Sequence, residues 1–322
     1  MKSAWFQKLT SVLGEKRQQR REEKQLTALL AAQIQQIARD SQANFRMVSG
    51  YSKKLVQPAQ TAYAYIEKQL SFIPEPIILD PARWHADYYL KALFVNADAI
   101  RNLVQSSKNL RTFFVKEETD QATAVMTADW KHKTIMTVES EGEMVRRDVP
   151  QSVYYFDNHE ILEVRGTMTD TQDQLCHRIL GVLIIKKIME IQGLQDWIDN
   201  LKKEHDVLDF FVQQPKSEDA MIGTKNDDNR VYEARQVLAE LQKKEHELHD
   251  QIGDAESQLS QVAAALLNPH PMFNIDAVDL MFNRQGLLVK QTTGFAGSKI
   301  KLTKCALVDR PSKVIVWVRV NR

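Results

Sequence analysis

HRILGVLIIKKIMEIQGLQDWIDNLKKEHDVLDFFV, residues 177–212, and VYEARQVLAELQKKEHELHDQIGDAESQLSQVAAAL, residues 231–266, keep one heptad spacing over one length. At alternating steps of three and four, the first runs from His177 through Leu180, Ile184, Lys187 and Ile191 to Val212. The second runs from Val231 through Ala234, Leu238, Leu241 and Glu245 to Leu266. Eight of eleven positions in the first and ten of eleven in the second are apolar, where a chain of 43% hydrophobic content supplies about five by chance. A seam that repeats every 3.5 residues suits two helices that wrap on each other, and equal lengths suit partners that run back along one another. Antiparallel layering sets His205 against Ala234 or, one heptad along, against Leu241, and both registers fit.

The start of the first segment is apolar nearly all round, through Val182, Leu183, Ile184, Ile185, Ile188 and Met189. Such a helix is expected to be buried by something besides its partner, with the far end projecting. Four polar residues interrupt the two seams: His177, Lys187, His205 and Glu245. A buried charge is costly unless paired, so Lys187, His205 and Glu245 are read as setting the register. The alternative is that protonation of His177 and His205 loads charge into an apolar layer and makes the pair acid-sensitive.

Working outward, residues 213–230 form an 18-residue connection where about two to eight residues would join two helices. Polar residues surround a short Ala220-Met221-Ile222 kernel, which fits either a disordered linker or a contact loop. The contact reading selects Lys216, Met221, Ile222, Lys225, Asp227 and Asp228. Upstream the period changes to two, and runs at Ala124–Met126, Lys133–Glu139, Val153–Phe156 and Ile161–Arg165 predict short antiparallel strands. Turns are expected at Asp129–Lys131, Glu141-Gly142 and Asp157-Asn158. Downstream, Asn268-Pro269-His270-Pro271 stops the second heptad helix. Strands are predicted there at Val278–Phe282, Leu287–Gln291, Lys299–Leu307 and Val314–Val320, with connections at Asn283–Gly286 and Asp309–Ser312. Before the strands, Asp80-Pro81 opens a core helix expected over Ala82–Phe114. Residues 1 to about 72 read as helix, with Leu26, Leu30, Ile34, Ile37, Phe45 and Val48 on one stripe, punctuated at Gly50 and Pro58 and stopped by Pro74-Glu75-Pro76.

The expected fold is α+β: an N-terminal helical region, an antiparallel sheet, and a long antiparallel coiled-coil helical hairpin inserted between strands. The segments are 1–75, helical; 76–171, core helix plus strands; 172–268, the coiled-coil hairpin with tip loop 213–230; and 269–322, the strands that complete the sheet.

Lys and Arg number 43 against 42 Asp and Glu, so no overall field recruits nucleic acid or an anionic surface. Cys176 and Cys305 are the only cysteines, too few for a disulfide framework, and a reducing cytoplasm is the simplest setting. No secretory signal and no membrane-spanning run is read, and 11 glycines are few for a nucleotide-cradling fold. Locally, residues 1–24 carry seven basic and three acidic side chains beside a face of Trp5, Phe6, Leu9, Val12 and Leu13. Lys16, Arg17, Arg20 and Arg21 follow it. This face is read as docking on the protein's own body or on a second copy, with an interfacial membrane helix at the inner membrane surface as the alternative. No base-reading module accompanies it, so nucleic acid is not the expected partner.

His246 and His249 sit three apart on one helix without further ligands, and Asp227-Asp228 lacks the frame of a calcium loop, so neither metal nor cofactor is expected. His159-Glu160 and the Trp84-His85-Ala86-Asp87 step each offer an acid or base, while Cys176 is read as a buried thiol. No motif binds these into a reaction. The expected function is a non-catalytic cytoplasmic interaction or scaffold protein that presents the coiled-coil arm to a protein partner. The alternatives are a peripheral membrane protein held by its N-terminal helix and a cofactor-independent, hydrolase-like enzyme in the sheet-containing body.

Overall fold

The computed structural model describes residues 21, 23–141, 144–213, 225–282, 287–290 and 298–322. The fold is α+β. Helix α1 covers residues 23–40, followed by α2 (Tyr51–Leu70), α3 (Tyr88–Leu93), α4 (Ala97–Ser106) and α5 (Lys108–Lys116). After two strands come α6 (Met168–Gln213), α7 (Lys225–Ile252) and α8 (Ala255–Leu267). The strands are β1 (Ile77–Ile78), β2 (Gln121–Glu141), β3 (Met144–Arg165), β4 (Phe273–Phe282), β5 (Leu288–Lys290), β6 (Lys299–Leu307) and β7 (Lys313–Asn321). Two compact units divide the chain: residues up to Thr61 with Gly181–Leu267, and Ala62–Leu180 with Asn268–Arg322.

The second of these holds the sheet, in the order β1-β7-β2-β3-β5-β4-β6. β6 pairs back onto β7 through Thr303↔Ile315 and Cys305↔Lys313, so six antiparallel strands close into a ring. The Thr303 hydroxyl donates to the Ile315 carbonyl at this closure. β1 adds to β7 in parallel, Ile77 against Val318, which makes the sheet mixed and corrects the all-antiparallel expectation. β7 is buried on both faces, with Val314, Val316, Val318 and Val320 on one and Ile315 and Trp317 on the other. That is why its sequence reads as a nearly unbroken apolar run. Beside it, Ala122, Ala124 and Ala128 of β2 are small, which leaves core volume for Leu90, Leu93, Phe94, Ile100 and Leu110 from α3–α5.

Four short strands were expected where two long ones form. Asp129 pairs with Asp157 in mid-ladder, so the polar residues read as turns are opposite one another across the β2–β3 hairpin. Register shifts between Thr127 and Asp129, and a positive φ of 49° at Asn158, absorb the irregularity as bulges instead of turning the chain. The helix expected over Ala82–Phe114 is likewise divided, into a 3-10 turn at Pro81–Arg83 and α3, α4 and α5. Each break has its own cap: Asp87 accepts from the Tyr89 and Leu90 amides, Asn96 from Ala99, and Ser107 from Leu110. Those side chains compete with the helix for its own orphan donors, and here they win.

In the other unit, α1 and the start of α2 are tied by Gln35 to Ser52 (3.2 Å) and Gln60 to Thr27 (2.9 Å), and α2 to α8 by Lys54–Glu256 (2.5 Å). Pro58, expected to punctuate the helix, lies within α2, where burial of Leu55 and Ala59 holds the helix through the missing donor. Gly50, at φ 69°, does mark the break before α2. The first heptad segment lies in one unbroken helix, α6. The second does not: Gly253, at φ 63°, ends α7, and Asp254 caps α8 by accepting from the Ser257 amide at 2.8 Å. Glycine reaches that left-handed conformation without steric cost, and it does so in mid-seam. The N-terminal face from Trp5 to Arg20, the Gln214–Thr224 part of the tip and the Asn283–Gly286 connection lie outside the described residues.

A Cβ at position 253 would collide with the Ser257 side chain, in a backbone conformation that L-residues disfavour. Gly253→Ala is therefore expected to cost about 1–2 kcal/mol in urea unfolding. An unchanged midpoint would show that the α7–α8 break is not required.

Candidate functional site

α6 carries the arrangement. Within the helical unit, Leu183, Ile184, Ile188, Ile191, Ile198 and Leu201 are buried along one side of it. Gly181 lets α1 approach, since a Cβ there would stand 3.1 Å from Gln33 Nε2 and 3.6 Å from Ile37 Cδ1. Gln192 Nε2 donates to the Ser41 carbonyl at 2.6 Å and pins the turn that follows α1.

The opposite side is not covered. Ile185 is 40% exposed, Met189 60% and Trp197 52%, and with Gly193 they form an i, i+4 row along the helix. A Cβ at Gly193 would meet nothing within 4 Å, so the row has a notch between Met189 and Trp197. This corrects the expectation that the all-round apolar stretch is buried: two of its members, Ile185 and Met189, face solvent. A row of large apolar side chains ending in an indole is what a protein contact uses, because an aromatic anchor contributes much area for little conformational entropy. Trp197 was missed because a lone tryptophan outside the a and d positions has no periodic signature. The fourfold spacing of Ile185, Met189 and Trp197 was the available signal.

Toward its C-terminal end α6 meets α7 through polar groups. His205 Nε2 lies 2.9 Å from Gln242 Nε2, and Lys202 Nζ lies 3.8 Å from Glu245 Oε1. Three residues back on α6 correspond to three forward on α7, so the helices run antiparallel here, in the register that sets His205 beside Leu241 and not Ala234. Glu245 also stands 3.9 Å from His249. Partly exposed pairs of this kind contribute about 0–1 kcal/mol. Of the four polar seam residues, His205 of α6 and Glu245 of α7 take part in the contacts between the two helices. Lys187 pairs at 2.9 Å with Glu190 on its own helix, and His177 packs against the Tyr63 ring at 5.2 Å in the other unit. Lys225 begins α7, whereas Lys216, Met221 and Ile222 are outside the described residues.

The candidate acids and bases have structural partners. His159 Nε2 lies 2.7 Å from the Leu93 carbonyl, and its ring stacks on Phe94 at 4.5 Å. Trp84 Nε1 donates to the Phe94 carbonyl at 3.0 Å, and Asp87 is the α3 cap. Together they satisfy the orphan groups at both ends of one short helix. Burial pushes the Cys176 thiol up to about 12 and that of Cys305 up to about 11, so neither supplies much thiolate near neutrality. His246 faces Asp250 at 3.7 Å, and among the described residues no group of three or more His, Cys, Asp and Glu is placed to hold a metal. No helix among them is long and apolar enough to cross a membrane. No family model, curated protein or solved structure matches the chain.

Burial holds the His159 imidazole below its ordinary pKa. The unfolded chain then binds its proton first, so the contribution of neutral His159 is present above about pH 6.5 and is lost as pH falls below it. His159→Gln keeps a donor for Leu93 and removes the titration. Urea unfolding from pH 7.5 to 5 is expected to show a shallower loss of stability in the variant, and identical slopes would show that His159 does not contribute.

Proposed function

We propose that this chain is a non-catalytic interaction protein that offers α6, paired with α7 as an antiparallel coiled-coil arm, to a protein partner. The single observation that carries the reading is the uncovered row of Ile185, Met189 and Trp197. Apolar area left in water forgoes about 25 cal/mol per Å2, and a helix whose other sides are already packed gains by covering the last one. The antiparallel contacts His205–Gln242 and Lys202–Glu245 support the arm, since they align α6 and α7 over the stretch beyond Trp197. A stiff helix pair keeps such a row straight and accessible, which suits the helix-in-groove mode of recognition.

A crosslinker at position 197 is expected to join the chain to one protein, and the product's mass tells a foreign partner from a second copy. Trp197→Ala with Met189→Ala should weaken that association by about 30-fold or more, the loss typical of a central anchor, with an unchanged helical circular dichroism spectrum. Deleting Lys216–Asn229 tests the tip separately. If neither change reduces association, the arm is not a contact surface and the reading fails.

A further inference from the structure

The ring of strands closes over a short stretch. β2 pairs with one edge of β7 from Lys313 to Asn321, while the other edge is shared: β6 takes Lys313 to Ile315, and β1 takes Val318 and Arg319. Val316 and Trp317 lie in the fork between β6 and β1. β6 is paired with β4 along its full length, yet among the described residues no strand pairs with its second edge from Lys299 to Leu302. Alternate residues of a strand turn their N–H and C=O to each edge, so this stretch presents donors and acceptors toward β1 that no strand meets. A cavity of about 450 Å3 occupies the fork, with Ile77 and Ile78 of β1, Val316 of β7 and Lys301 of β6 in its walls. One strand residue fills about 3.3 Å along, 4.8 Å across and 10 Å through a sheet, so the cavity has room for roughly three.

We infer that this fork is a binding site for an extended acidic peptide, which adds as a strand beside β6. The free edge of β6 supplies the backbone partners, the mode by which sheets take up peptides. The border selects the charge. Lys299 and Lys301, two apart, fall on one face of β6, and the closure register, continued, sets Arg319 level with Lys299 on that face. Arg83 stands in the cavity wall. All four are exposed, and among the described residues none is in an ion pair. Asp87, also in the wall, spends its carboxylate on the Tyr89 and Leu90 amides. Glu75 in the wall and Asp279, across from Lys301 on β4, are the opposing acids, so cations prevail at the border. Strand alternation sends every second peptide side chain toward these cations and the others toward Val316, which belongs to the core face. The fork shares no residue with the exposed row of α6, so it stands or falls independently of the reading proposed for that row.

The test titrates the full chain with acetyl-Glu-Val-Glu-Val-Glu-amide and follows binding by calorimetry. The same peptide N-methylated at both valines, a Lys-Val-Lys-Val-Lys counterpart and a thymidine pentanucleotide are the controls. The acidic peptide is expected to bind at submillimolar concentration, and N-methylation to weaken it about tenfold or more, because it removes the donors that a strand needs. Lys301→Glu, a change at an exposed position, should weaken it about fivefold or more, with the melting temperature little changed. Hydrogen exchange of the wild type, which needs no variant, is expected to show peptide-dependent protection of the amides at 299–302. No binding at millimolar concentration, equal affinity of the N-methylated or basic peptide, tighter binding of the oligonucleotide, an unaltered Lys301→Glu, or protection elsewhere would each overturn the assignment. So would a wild-type dimer that Lys301→Glu splits in light scattering, which gives the fork to a second copy instead.

Discussion

A helix that is apolar on more sides than its neighbours can cover sets the terms for the helical unit. α6 spends one side on α1, where Gly181 removes the Cβ that would hold the two apart, and its C-terminal stretch meets α7 through His205 and Lys202. Ile185, Met189 and Trp197 are left over. Truncating them within the isolated chain would sacrifice little packing, which fits the contact row proposed above.

In the sheet-containing unit the governing constraint is the satisfaction of short helix ends. α3 has six residues, too few to be stable through its own hydrogen bonds. It persists because Asp87 accepts at one end while Trp84 occupies the Phe94 carbonyl and His159 the Leu93 carbonyl at the other, and because Leu90 and Leu93 are buried in the core. His159, which the sequence offers as an acid or base, is therefore the residue that fastens this helix to β3.

The same accounting applies to carboxamides of the helical unit. Gln192 and Gln261 are explained by the backbone they satisfy, Gln192 at the Ser41 carbonyl and Gln261 at the Gln251 and Ile252 carbonyls.

By itself, the sequence determined the α+β class, the first heptad helix and closely the extents of β6 and β7, because each rests on a local period that burial of one face enforces over many residues. The alternation of Lys299–Leu307 and the apolar run of Val314–Val320 needed no partner to be legible. The tertiary structure alone decided the closure of the sheet through β6 and β7, the parallel addition of β1, and the joining of the β2 and β3 fragments across bulges at Asp129 and Asn158. Strand pairing is a long-range choice, and a polar residue in a bulge looks like one in a turn until its partner is known. Gly253 was visible as a glycine, but only its φ of 63° shows that it ends one helix and admits another. Which apolar residues of α6 remain open depends on what packs around them, and no spacing along the chain encodes that.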